Sequence, residues 1–134
     1  MAAMLKLGVR LGISAFTAWV AAALEQQGAI LESLETVEQA LQLNPDELQY
    51  RPEIFRLRGQ LRLKQGQTEL AEADFREAIA LAQKMGAKAW ELRATISLAG
   101  LLASQGRRDQ ARTMLAAIYN WFTEGFEHRR PERS

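Results

Sequence analysis

The sequence predicts an all-α fold, a superhelix of about three antiparallel helical hairpins, and three observations carry the prediction. The chain repeats itself: with Gly66 set on Gly106, 40 residues on, Gly59 falls on Ala99, Ala71 on Ala111, Phe75 on Leu115 and Ala78 on Ile118. Strong helix formers flank each of these turn glycines, and the β-branched residues never gather into strand-like alternation. Apolar positions recur four and three residues apart, the spacing of one helix face. A period of this length points to stacked helical units rather than a single bundle.

The elements follow in order. The first unit is a degenerate copy with Gly28 at its turn, Ser33, Val37 and Ala40 at the repeat offsets, and Pro45 closing it. Its first helix contains the apolar run Leu11 to Leu24, preceded by Lys6 and Arg10, with Ala21-Ala22-Ala23 imitating a cleavage site. Fourteen residues fall short of the roughly 20 that cross a bilayer, and Ser14 and Thr17 interrupt the run, so a buried helix is expected in preference to export or a membrane span. In the second unit Pro52 suits a first helical turn and Gly66 suits a left-handed helix end, framing a helix over about 52–65. Thr68 is expected to cap the next helix, whose inward stripe is Ala71, Phe75, Ala78 and Ala82. The third unit places helices over about 88–104 and 109–121. The second of them carries the stripe Ala111, Leu115, Ile118 and Phe122, while Trp90, Ala94, Leu98, Ala99, Leu101 and Leu102 give the first contacts on two sides. Residues 1–126 thus read as one repeat domain, with units at about 8–45, 50–86 and 87–122, followed by a polar flexible tail at 127–134.

Composition narrows the function. Of the 134 residues, 48% are hydrophobic and 25% charged, enough apolar content to build a core. Seventeen basic residues against 16 acidic leave a net charge of +1, which gives no general electrostatic reason to bind nucleic acid. Without cysteine there is no disulfide framework and no thiolate chemistry, which suits a reducing cytoplasm. The single histidine, His128, falls in the polar tail, away from any nucleophile or acid it would need as a general base. Carboxylates such as Glu69, Glu72 and Asp74 read as partners in surface ion pairs. No spacing of ligand residues suggests a metal, and no cofactor is expected. The chain is read as a non-enzyme.

The small residue Gly59, the turn glycine Gly66, then Ala71, Phe75 and Ala78 resemble the tetratricopeptide pattern, with a period longer than that family's usual 34 or so. The stretches RLRGQL, GAKAWELRA and YNWFTEGF resemble, more specifically, the C-terminal tetratricopeptide region of bacterial adenylate/guanylate cyclase and signal-transduction ATPase regulators. There is no phosphate-binding GxxxxGK[ST] here, so only the repeat module carries over. The family has a large or aromatic residue where Arg58 and Arg62 stand.

The resemblance implies a right-handed superhelix and a role in protein–protein interaction or scaffolding within signalling, with a small-molecule sensor as the alternative. It also implies that the first helix of each hairpin lines a concave groove. In that register Glu53, Arg56, Gln60 and Lys64, then Arg93 and Ile96, face the groove, and its three cations suit an acidic peptide. At the ends, Tyr119, Trp121, Phe122 and Phe126 are expected to cap the last hairpin or to form a docking patch. Phe16, Trp19 and Val20 on the first helix have no preceding repeat to cover them, which suggests a homodimer through an end face.

Overall fold

A computed structural model describes residues 13–43 and 50–128, with the side chains of 17–42 and 50–124 among them. These residues form six helices and no strand: α1 Ile13–Gln26, α2 Ile30–Leu43, α3 Arg51–Lys64, α4 Thr68–Met85, α5 Lys88–Ser104 and α6 Arg108–His128. Successive helices pair as hairpins. In addition α1 packs on α3 and α3 on α5, whereas among the described residues no second helix of a hairpin reaches another second helix. A stack whose first helices touch and whose second helices splay must curve, so α1, α3 and α5 line its inner side.

The turns explain why the helices stop where they do. Gly66 has φ 79°, a left-handed conformation with no Cβ to penalise it. There the Gln67 N–H donates to the Arg62 carbonyl at 2.9 Å and the Gly66 N–H to Leu63 at 3.0 Å, closing the last turn of α3 in a Schellman motif. Gly28, Gly86 and Gly106 close their helices by the same pair of bonds. Pro52 sits in the first turn of α3, where no N–H is missed.

Two boundaries differ from the sequence reading. Thr68 is the first residue of α4 rather than its cap; Gln67 holds the cap position and no side-chain cap bond forms. The last helix runs to His128 instead of ending near Trp121, so Glu127 and His128 belong to α6 and not to a tail. Nothing between Trp121 and Pro131 forbids helix, and a polar composition alone does not end one. Residues 129–134 lie outside the described residues.

The core follows the small-residue register. Ala71, Phe75, Ala78 and Ala82 are all fully buried along α4. Small residues recur in pairs at equivalent places in the three hairpins: Ala21 with Ser33, Gly59 with Ala71, and Ala99 with Ala111, all six of them buried. In the first pair the Ser33 hydroxyl donates to the Ala21 carbonyl at 2.7 Å. At Gly59 a Cβ would fall 2.6 Å from the Phe75 ring, so the glycine is what admits the phenyl group. Full burial of that ring contributes about 1.5–3 kcal/mol. Along α6, Ala111 and Ile118 are buried, but Leu115 is 37% exposed where a buried residue was expected. Its counterpart Phe75 shares a core cluster with α5 residues, and among the described residues no helix follows α6 to do the same.

Candidate functional site

The side chains expected in the groove form one continuous polar chain across the inner row. Arg56 donates from Nε and Nη2 to the two carboxylate oxygens of Glu53 at 2.9 and 2.8 Å, a bidentate fork, and from Nη1 to the Gln60 side-chain oxygen. Glu53 also receives Arg93 from α5 at 3.1 Å. On the other side, the Gln60 amide reaches Glu25 of α1 at 3.5 Å, and Lys64 pairs with the same carboxylate at 3.0 Å. The chain Arg93, Glu53, Arg56, Gln60, Glu25, Lys64 therefore ties α5, α3 and α1 together.

The electrostatics differ from an open basic groove. Arg56 is only 9% exposed, and its guanidinium is spent on Glu53 and Gln60. Lys64 and Arg93 have half-exposed side chains, each bound to a carboxylate on one side and open on the other. Ile96 is exposed on α5, and Gly100 leaves open space beside it. Glu25, which completes the chain, had no place in the sequence reading, because it lies on a different helix and no local spacing links it to Lys64.

A second ionic cluster lies on the opposite face of α3. Asp74, nearly fully buried on α4, accepts from Arg58 Nε and Nη2 at 3.1 and 2.9 Å and from Arg62 Nη1 at 2.9 Å; Arg58 also reaches Glu38 of α2 at 2.8 Å. Burial works against the Arg58 charge, yet the hydrogen bonds to Asp74 and Glu38 outweigh it and raise the guanidinium pKa above its ordinary value. Forty residues on, the same three places hold Leu98, Leu102 and Met114, packed in the apolar core. Arg58 and Arg62 thus tie α3 to α4 through Asp74 and to α2 through Glu38, and Asp74 is an internal charge rather than the surface one the sequence suggests.

Of the residues expected at the ends, Trp19 is 81% exposed, while Val20, Trp121 and Phe122 are half-buried. Trp121 and Phe122 meet edge to face, with ring centres 5.0 Å apart. The more exposed apolar groups of α6 are Leu115 and Tyr119. The side chains of Phe16 and Phe126 lie outside the described residues. No described helix is long and apolar enough to cross a membrane.

Comparison with known proteins agrees with this architecture. Residues 54–85, which span most of α3 and all of α4, match the Tetratricopeptide repeat family. No curated protein matches the chain. A repeat of this kind supports a role in protein–protein interaction or scaffolding. The protein is therefore an all-α, tetratricopeptide-like helical solenoid, with the family's repeat in its second hairpin.

Proposed function

We propose that the inner face of α1, α3 and α5 holds an acidic peptide segment of a protein partner, and that the chain is a non-catalytic cytoplasmic adaptor. The observation that carries this reading is the pair of half-exposed cations, Lys64 and Arg93, at the two ends of a pre-ordered polar chain with exposed Ile96 nearby. Side chains already fixed by Glu25 and Glu53 lose little freedom on binding, which favours affinity. Arg56 serves here as the brace that fixes Glu53 and Gln60, and the two exposed cations take the ligand's carboxylates. The likeness of RLRGQL, GAKAWELRA and YNWFTEGF to repeat regions of bacterial signalling proteins supports a regulatory setting. Exposed Trp19 at one end, with Leu115 and Tyr119 at the other, supports self-association through an end face.

Selection from a random peptide library tests the main reading. The wild-type chain is expected to enrich peptides that combine acidic and apolar residues, and the double variant Lys64→Glu, Arg93→Glu to lose them while still folded by circular dichroism, at a melting temperature somewhat lowered by repulsion from Glu25 and Glu53. Equal enrichment by both proteins would refute the assignment.

A further inference from the structure

The 40-residue register also shows a place where the third hairpin lacks what the second one has. On α3 the face turned away from the groove carries Phe55, Arg58 and Arg62, with the Arg58 guanidinium 5.1 Å from the Phe55 ring centre. The equivalent positions on α5 are Thr95, Leu98 and Leu102, so a threonine stands where the second hairpin has phenylalanine. A cleft of about 340 Å³ opens there, between α4, α5 and α6. Apolar side chains line it, including Ile79, Met114 and Ile118, together with the indole of Trp121.

Glu91, also on the cleft wall, is a buried carboxylate, its residue only 6% exposed. The Gln83 amide donates to its Oε2 at 3.0 Å. Its other oxygen, Oε1, is buried without an aligned hydrogen-bond donor; the Lys88 ammonium lies 2.9 Å away as an ion pair, but off the hydrogen-bonding directions. The same ammonium sits 4.9 Å from the centre of the Trp121 ring. A carboxylate on one side and an indole face on the other are what an organic cation requires, and an apolar wall continues from them. Lys88 is rooted in the first turn of α5, and its flexible side chain is partly exposed, so it can swing out into water.

We infer that this cleft is a binding site for a small organic ammonium with an apolar tail. The ligand's ammonium takes the place of Lys88 between Glu91 and Trp121, and its tail lies against Ile79, Met114 and Ile118. The site is on the opposite face of α5 from the peptide groove, since Arg93 and Ile96 point about half a helical turn away from Glu91 and Thr95. It stands independently of the groove assignment.

The test uses the full chain titrated with n-hexylammonium, and with hexan-1-ol and hexanoate as neutral and anionic analogues, followed by proton–nitrogen correlation spectra. Saturable shifts of the Trp121 indole N–H with hexylammonium alone are expected. Lys88→Ala should tighten binding roughly tenfold, because the internal competitor is gone. Thr95→Phe, which borrows the side chain of the second hairpin, should abolish it, as should Glu91→Gln. Equal binding of hexan-1-ol would reduce the cleft to an apolar hole and overturn the proposal. So would undiminished binding by folded Thr95→Phe or Glu91→Gln, or no saturable shift up to about 10 mM ligand. If a variant fails to fold, the comparison of the three ligands on the wild type still decides.

Discussion

Replacing Asp74 with alanine removes the buried carboxylate that both Arg58 and Arg62 hydrogen-bond. The carboxylate is nearly fully buried and accepts from both guanidinium groups; Glu38 is a second partner to both, at 2.8 Å from Arg58 and a looser 3.8 Å from Arg62. Breaking a buried ion pair by deleting one member costs about 3–5 kcal/mol, because the remaining charge stays desolvated. Here both arginines keep some contact with water and Glu38 stays in place, which puts the cost near the lower end, about 3 kcal/mol. For a domain of this size that corresponds to a fall in Tm of roughly 10 °C. The informative comparison is the triple variant Arg58→Leu, Arg62→Leu, Asp74→Met, which writes the apolar trio Leu98, Leu102 and Met114 into the second hairpin. Whole buried ionic groups replaced by packed apolar ones are often neutral or stabilising by about 1–4 kcal/mol, so the triple variant should match or exceed the wild type. Urea titrations followed by circular dichroism at 222 nm give both values, and unchanged m-values certify the comparison. A Asp74→Ala variant within about 1 kcal/mol of wild type, or a triple variant as unstable as the single one, would refute the reasoning.

Other consequences follow from the same contacts. Gly59→Ala should cost about 1–3 kcal/mol by driving a methyl group into the Phe75 ring, and adding Phe75→Leu should recover part of it, seen as non-additivity in a denaturation cycle. Ser33→Ala should cost about 1 kcal/mol by removing the buried bond to the Ala21 carbonyl, with the loss confined to the first hairpin in hydrogen exchange. The hydrogen bond from Arg76 holds the Glu72 carboxyl below its usual 4.5, and the charge of Arg107 adds to this against the opposing effect of burial. A depressed carboxyl pKa stabilises above the unfolded value and loses that contribution as pH falls through the folded one. Glu72→Gln should therefore lower stability by a few tenths to about 1 kcal/mol at neutral pH and converge with the wild type once the pH has fallen through the depressed carboxyl value, read from melting temperatures across a pH series.

What the sequence made legible was whatever repeats locally. The spacing of Ala71, Phe75, Ala78 and Ala82 marked a buried face, and the glycines at 66 and 106 marked the helix ends, because both signals lie within one or two turns of helix. Leu115 sits on the same stripe yet is exposed: periodicity names a face and is silent about what covers it, and α6 is the last helix described. Arg56, Lys64 and Arg93 were expected on the inner row from the register alone, which does not say which carboxylates they meet. Glu53 lies at a readable spacing from Arg56, whereas Glu25 is 35 residues from Gln60 and meets it only through packing of α1 on α3. Asp74 looked like one more surface charge because its helix is rich in them; only the register, which sets it opposite Met114 while Arg58 and Arg62 oppose leucines, hints that it is internal.

The groove assignment is tested most directly by a charge swap across the interface. An acidic peptide selected by the wild type is measured against wild type and against the Lys64→Glu, Arg93→Glu variant, and then a copy of the peptide with its acidic residues changed to lysine is measured against both. The account predicts that the variant loses the acidic peptide by at least roughly 100-fold, as two charge pairs become repulsive, and gains the lysine form. If the acidic peptide binds both proteins alike, or the lysine form binds neither, the inner face of α1, α3 and α5 is not where this solenoid holds its partner.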